Sequence, residues 1–563
     1  MKNIVVIGGS AAGAKAAAKA KRLDEFANVT IIQKDPDLSM ASCGYPYYVG
    51  GVFDDRNALI CTPTGVVRDA TFFAKAKGIT ALVETEVTSI NRQAKEVTCK
   101  DLPSGEEKKL PYDKLIIATG AHPNIPPIPG IELDGITTLL SMADTDYLRT
   151  IRDEKKVKKA VIIGGGLIGV ETCEALQLSG IEVTVVELLD QVLPFLDWEL
   201  AKLVENHMKA KGAQVLTSTG LKEFNGKDGK LTGVTLNDGT VLDCELAVMA
   251  VGVRPNSGIG KDCGLETGTF GGITVDSYQQ TSDPDIYAAG DCVEIENLNS
   301  GGKVFNPMGD QANLQGRVAG ENAILGNTVT FPGTYQTGIC QIFDFNAGST
   351  GLSEKAAKRA GITDYEVVVN ASPDKPGFMG AMLLISKLLV STKDQRILGY
   401  QCVGPGDVSK QVATAAVAIK GKLTVEDLVN LDLPYAPPFS LAIDHFIASA
   451  HIMQNKLKGR MNGLSVVDVW EKVQNKEDVF YYDGRSPEEY EEMHLGIGEN
   501  LIPLGALRDK LDALPEDKNK EIICFCKISM RGYEAANVMR AHGYTNVKVM
   551  EGGVMAWPYP RKK

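Results

Sequence analysis

Residues 159–180 read KAVIIGGGLIGVETCEALQLSG. A β-branched run leads into Gly164-x-Gly166-x-x-Gly169, and a leucine- and alanine-bearing segment follows. Strand, glycine turn and helix in that order form the first turn of a βαβ dinucleotide fold. Gly164 makes the tight turn, Gly166 leaves room for close approach, and Gly169 lets the helix pack on the strand. The helix start offers unpaired N–H groups to a pyrophosphate. Working outward, residues 3–22 (NIVVIGGSAAGAKAAAKAKR) repeat the grammar. Gly8 and Gly13 take the outer roles, and Ser10 stands where the middle glycine would be. One such motif is weak evidence; two, each set between a strand and a helix, are strong.

The strand after the second turn, IEVTVVE, ends at Glu187, 23 residues past Gly164. A carboxylate there accepts hydrogen bonds from a ribose 2′-OH and repels a 2′-phosphate, so NADH is expected over NADPH. A solvated strand end is the alternative. In the first copy VTIIQK ends on Gln33 and Lys34, where an uncharged amide replaces the acid.

Bulk properties narrow the choices. The chain has 563 residues, too many for one core. A net charge of −12 argues against nucleic-acid binding. No apolar run approaches the roughly 20 residues of a membrane span. Met1 runs almost at once into the strand IVVIGG, so no leader is expected. Eleven cysteines at irregular spacing point to reduced thiols and a cytoplasmic protein. No paired Cys-x-x-Cys pattern occurs, so no metal is expected.

Further segments carry a family resemblance. YDKLIIATGAHP (112–123) ends a strand on Thr119-Gly120, DIYAAGDCVE (285–294) ends one on Gly290-Asp291, and MAVGVRPN (249–256) contains Gly252. Over about residues 1–455 the chain resembles the two-dinucleotide-binding disulfide oxidoreductases. The resemblance implies FAD in the first fold, held by Gly8, Ser10, Ala12, Gly13, Gln33, Lys34, Thr119, Gly120 and Gly290, with Asp291 on the ribityl chain. It implies NADH on Gly164, Gly166, Gly169, Glu171, Glu187 and Gly252, with Glu171 helping to position the nicotinamide.

Within that superfamily the stretch DLSMASCGYPYYVGG (37–51) selects a branch. Cys43 has no cysteine close by in sequence. Its pattern Ser39-Met40-x-x-Cys43-x-x-Pro46-Tyr47 is similar to the single-cysteine branch of coenzyme A disulfide reductases, persulfide reductases, NADH oxidases and peroxidases. Ala11 stands where the peroxidases have a histidine. A solitary thiol must find its sulfur partner outside the chain, and attack needs a thiolate, favoured by positive charge or helix N–H groups. The resemblance implies a coenzyme A clamp from Arg22, Ser39, Ser42, Asn313 and Arg317. YAPPFS (435–440) is similar to a motif whose first tyrosine reaches across a homodimer, so Tyr435 is expected to give a proton to a leaving thiolate. Asp374 and Lys375, in ASPDKPG, replace a second family tyrosine.

The last 100 or so residues resemble a rhodanese domain. Cys526-Lys-Ile-Ser-Met-Arg531 is a six-residue loop that can curl its N–H groups around a sulfur anion; phosphatases need one residue more. Cys526 is the expected sulfur carrier, with Lys527 and Arg531 beside the substrate. Cys524 reads as core, and His494 as structural.

The expected architecture is α/β: two Rossmann-like FAD/NAD(P)-binding domains, an α+β dimerisation domain and a C-terminal α/β rhodanese domain. The expected boundaries are 1–150 with 253–325 (FAD), 151–252 (NAD), 326–455 (dimerisation) and 464–563 (rhodanese). The expected function is FAD-dependent, NADH-driven reduction of a persulfide, polysulfide or coenzyme A disulfide at Cys43, releasing hydrogen sulfide. A plain coenzyme A disulfide reductase, an NADH oxidase and a thiol-based redox sensor are the alternatives.

Overall fold

Strands Asn3–Ile7, Asn28–Ile32, Thr80–Leu82, Lys114–Ile117 and Ile286–Ala288 form one parallel sheet in a computed structural model that describes residues 1–562. The Ile, Val and Leu of the inner strands Asn3–Ile7 and Lys114–Ile117 are buried on both faces, as a helix-covered parallel sheet requires. A second parallel set pairs Glu182–Val186, Lys159–Ile163, Leu246–Met249 and Ile136–Thr137. Both glycine-rich turns open helices, Ala11–Leu23 and Leu167–Leu178. Helix Ala11–Leu23 lies parallel to Gly309–Leu325. A Cβ on Gly316 would meet the Ala12 carbonyl oxygen at 2.2 Å and one on Gly320 the Ala16 oxygen at 2.3 Å, so only glycine permits the approach. These elements belong to one compact unit, residues 1–188 with 218–334.

The second unit comprises residues 189–217 and 335–563. Its centre is an antiparallel sheet in the order Gly338–Ile342, Phe345–Gly351, Ile397–Gly404, Leu383–Ser391, Tyr365–Pro373. Helices Val408–Lys420 and His445–Leu457 cover it through Val412, Ala415, Phe446 and Met453. Helix Trp198–Ala210 is bound to this sheet by a buried charge cluster. The Lys387 ammonium meets Asp197 at 3.2 Å, Glu199 at 2.5 Å and Glu354, and these carboxylates keep it charged.

A parallel sheet ends the chain, in the order Gly463–Leu464, Val547–Met550, Ile522–Phe525, Phe480–Asp483, Asn500–Leu501. The basic stretch QNKLKGRMNG (454–463), ahead of this sheet, is helical up to Leu457. The C-terminal sheet docks on its own chain. Tyr559 stacks on Trp470 at 4.4 Å and touches Trp198 at 5.5 Å, and Asn206 donates to the Pro558 carbonyl at 2.8 Å. Among the described residues no helix is long and apolar enough to cross a membrane, and no cluster of His, Cys, Asp and Glu could hold a metal.

Candidate active site

The two glycine turns are nearly superimposable in their constraints. Gly8 and Gly164 have φ of +101° and +109°, in the left-handed region. A Cβ on Gly13 would lie 1.9 Å from the Gly8 oxygen, and one on Gly169 2.0 Å from the Gly164 oxygen. At Gly166 a Cβ would meet nothing within 4 Å. Packing within the chain therefore does not require its lack of a side chain. Gln33 and Glu187 occupy equivalent places. The Gly9 N–H donates to Gln33 Oε1 and the Gly165 N–H to Glu187 Oε2, each at 2.6 Å. Both side chains are buried and brace their own turn. Lys34 is exposed and pairs with Glu86 at 2.8 Å.

Two strand ends complete the first fold. The Thr119 hydroxyl donates to the Asn256 carbonyl, and Asn256 Nδ2 donates back to the Thr119 oxygen at 2.9 Å. Gly120 and Gly252 are left-handed, with open space where a Cβ would stand. Gly290 packs on Ala12, and its N–H donates to Gln315 at 2.8 Å. Next to it, Asp291 Oδ1 is buried without a hydrogen-bond partner among the described residues. Burial pushes its carboxyl up to about 6. A buried acceptor left unpaired is costly, which is a signature of a site built for hydroxyl donors. These residues fit a flavin nucleotide: glycine turns for the pyrophosphate and Asp291 for a polyol chain.

Cys43 sits in a single 3₁₀ turn, Ser42–Gly44, ahead of helix Tyr45–Gly50, and it is exposed. Its Sγ lies 3.6 Å from where a Cβ on Gly309 would be, at the start of the 17-residue helix Gly309–Leu325. A thiolate here calls for positive charge or helix N–H groups nearby. Instead desolvation, then Glu171, Asp291 and Asp310, push it above the ordinary cysteine range. Glu171 and Asp291 belong to the two nucleotide folds, so both converge on one sulfur. A hydrogen bond from its own backbone N–H pulls the other way. Burial and Glu174 push the Glu171 carboxyl up to about 7, although Tyr47 hydrogen-bonds it. Tyr47 is visible beforehand only as the end of the Pro-Tyr pair.

Ser39 adopts φ +52° and its N–H donates to the Gly9 oxygen at 2.7 Å, tying the cysteine loop to the first glycine turn. Ser42 is exposed beside Cys43. Asn313 donates to the Gly309 oxygen at 2.8 Å, one turn along from the thiol, and Arg317 is exposed a turn further. Arg22 is exposed in the last turn of helix Ala11–Leu23. That helix also presents exposed Lys15, and Lys19 at 2.9 Å from Glu321, at i, i+4 and i+7 relative to Arg22's face. The sequence reading missed these two lysines, though their spacing in AGAKAAAKAKR carries the signal. From Lys15 to Arg22 the basic stripe covers about 10 Å along the helix axis.

In the second unit Tyr435 is 56% exposed, with Phe439 and Ile443 also exposed on the same segment. Asp374 closes the hairpin between Tyr365–Pro373 and Leu383–Ser391, since the Met382 N–H donates to its carboxylate at 2.8 Å and the Asp374 N–H to the Met382 oxygen at 2.8 Å. Lys375 follows it on the hairpin, half-buried.

The C-terminal loop runs from Cys526, 1% exposed, to Arg531. Ser529 has φ +68°, and helix Met530–Ala541 starts after it. Its hydroxyl donates to the Met550 carbonyl. Gly552 and Gly553 are both left-handed, and a Cβ on Gly553 would strike the Cys526 oxygen at 2.4 Å. Val554 and Met555 N–H groups donate to the Cys526 and Lys527 oxygens at 3.0 Å. Lys527 is exposed. Arg531 makes two 2.7 Å hydrogen bonds to Glu489, which hold that carboxyl down at about 2. The Cys526 thiol also lies within the electrostatic reach of the Arg531 guanidinium. Asp483 and Arg485 form a fully buried pair that fastens the preceding turn. Cys524 is buried in the core, and burial pushes its thiol well up. His494 stacks on Tyr490 at 4.6 Å.

Comparison with known proteins identifies the family. Residues 2–310 match the family described as Pyridine nucleotide-disulphide oxidoreductase, 338–446 its dimerisation domain, and 465–558 the rhodanese-like domain. A solved NAD-dependent persulfide reductase from A. fulgidus is 41% identical, with a TM-score of 0.94, over 99% of this chain and 100% of that one. An NADH oxidase of Methanocaldococcus jannaschii is 32% identical over 460 residues, 81% of this chain and 99% of that protein. An NAD(P)H coenzyme A polysulfide/persulfide reductase of Pyrococcus horikoshii is 32% identical over 454 residues, 80% and 98% of the two chains.

Proposed function

The chain belongs to the pyridine nucleotide-disulphide oxidoreductases, with their dimerisation domain and a rhodanese-like domain, and from that premise we propose that it is an NADH-dependent persulfide or disulfide reductase acting through Cys43. The observation that carries this is the placement of one exposed thiol at a helix N-terminus, with Glu171 of one nucleotide fold and Asp291 of the other in its electrostatic reach. Bound FAD supplies two-electron transfer between a nicotinamide hydride and a thiol–disulfide couple. It is held by Gly8, Ser10, Ala12, Gly13, Thr119, Gly120, Gly290 and Asp291. NADH is held by Gly164, Gly166, Gly169 and Gly252, with Glu187 bracing its turn. The four-domain division of the sequence goes with this reading.

Cys43 as thiolate attacks the substrate sulfur, forms a mixed disulfide and releases the other sulfur as leaving group. Two electrons from NADH restore the thiolate. The balance is NADH + H⁺ + RSSH giving NAD⁺ + RSH + H₂S. Coenzyme A suits the thiol carrier R. Its long pantetheine arm spans the distance from Cys43 past Ser39, Ser42, Asn313 and Arg317, and Arg22 with the two lysines matches its phosphates. The chain works as a homodimer, in which the partner subunit's Tyr435 protonates the leaving thiolate; the exposed Tyr435, Phe439 and Ile443 form an apolar patch that a second copy covers. Cys526, cradled by Lys527 and Arg531, carries the incoming sulfane sulfur.

The test is Cys43→Ser. It retains bound flavin and loses NADH-dependent sulfide release from coenzyme A persulfide. Full sulfide release by this variant would refute the proposal. The resemblance to an NADH oxidase gives a second reading. It predicts NADH turnover that needs oxygen and no sulfur acceptor, which an anaerobic assay decides.

A further inference from the structure

We propose that Lys456 and Glu551 are positioning residues for the sulfur-carrying loop, joining it to the dimerisation sheet of the same chain. The inference rests on Cys526 carrying sulfur, as proposed above. Glu551 is 3% exposed and follows strand Val547–Met550; its N–H donates to the Leu464 carbonyl of the C-terminal sheet at 2.9 Å, while its carboxylate reaches other elements. Its carboxylate accepts the Val369 N–H at 2.8 Å and the Lys456 ammonium at 2.8 Å. Val369 lies on strand Tyr365–Pro373 and Lys456 on helix His445–Leu457, both outside the C-terminal domain. Lys456 also meets Glu366 at 3.1 Å and donates to the Val367 carbonyl at 2.8 Å. A carboxylate buried in this way must be paired, so the contact has one geometry and little freedom.

On both sides of Glu551 the chain holds the Cys526 loop. The Met550 carbonyl takes the Ser529 hydroxyl, and Ser529 is the left-handed residue that turns the loop into its helix. Gly552 packs on Val369, so a Cβ there would lie 2.9 Å from Val369 Cγ1. Gly553 backs Cys526, and Val554 and Met555 donate to the carbonyls of Cys526 and Lys527. Six consecutive residues, 550–555, thus touch the docking surface at their middle and the sulfur loop at their ends. A shift of the carboxylate is transmitted to the curl of the N–H groups that must face a sulfur anion. Such groups act only while their geometry is held.

The test uses the full-length holoprotein with Lys456→Met, Lys456→Arg and Glu551→Gln. Sulfur transfer from thiosulfate to cyanide reads the C-terminal loop, NADH-dependent disulfide reduction reads Cys43, and hydrogen exchange reads backbone order at 526–530. The expected result for Lys456→Met is about a tenfold lower kcat for sulfur transfer with little change in KM. Faster exchange at 526–530 and normal disulfide reduction accompany it, and Lys456→Arg restores both readouts. If Lys456→Met fails to fold, Glu551→Gln, which keeps the shape, gives the same split. Wild-type kcat and wild-type exchange in Lys456→Met or Glu551→Gln overturn the inference. Sulfur transfer that survives Cys526→Ser refutes the sulfur-carrier reading instead, while the exchange data still decide the coupling.

Discussion

Asp291→Asn separates ligand binding from folding at one atom. Asp291 Oδ1 is buried with no hydrogen-bond partner among the described residues, and its carboxyl is pushed from 3.8 up to about 6 by burial. A carboxyl whose folded pKa lies above its unfolded one costs stability as pH rises from the lower value to the higher. The cost is complete above the folded pKa and absent below the unfolded one. A shift of about two units is worth about 3 kcal/mol. With flavin removed, Asp291→Asn is therefore more stable than the parent by up to about 3 kcal/mol near pH 8, and by less than about 1 kcal/mol near pH 4. With flavin the order reverses, because the amide offers a weaker acceptor to the polyol hydroxyls, and the variant loses flavin on dialysis. Urea unfolding of flavin-free protein at the two pH values, with flavin retention by absorbance, measures both effects. A variant no more stable than the parent near pH 8, or one that holds flavin as tightly, refutes the reasoning.

Three other outcomes follow from the geometry. Gly169→Ala, whose Cβ would lie 2.0 Å from the Gly164 oxygen, destabilises by about 1–3 kcal/mol in thermal unfolding; Gly166→Ala, with open space, leaves the melting temperature unchanged and raises the KM for NADH. Glu489→Gln removes the bidentate partner of Arg531. Because that carboxyl is held at about 2, its stabilisation is present above the unfolded pKa and lost as pH falls toward 2; partly exposed as it is, it contributes about 1 kcal/mol, and acid unfolding curves of the two proteins converge below that pH. Arg317→Ala raises the KM for coenzyme A persulfide by about tenfold and leaves that for inorganic polysulfide unchanged in steady-state assays.

The features legible in the sequence are those set by neighbours along the chain. Gly8 and Gly13, or Gly164 and Gly169, close a turn whose geometry depends on a handful of consecutive residues. The Cys526–Arg531 loop is defined by its length, and Cys43 by the lack of a nearby cysteine. Strand and helix order follow the same local rules, so the α/β class and the rhodanese end were readable in advance. Long-range charge and burial were not. Glu171, Asp291 and Asp310 come from three distant segments, and only folding sets them around Cys43, where they raise its thiol instead of lowering it. Folding alone leaves Asp291 Oδ1 without a partner among the described residues, gives Arg531 to Glu489, and seats Glu551 against Val369 and Lys456. Burial and Coulomb energy depend on distances through space, and linear order carries those only where the chain is local.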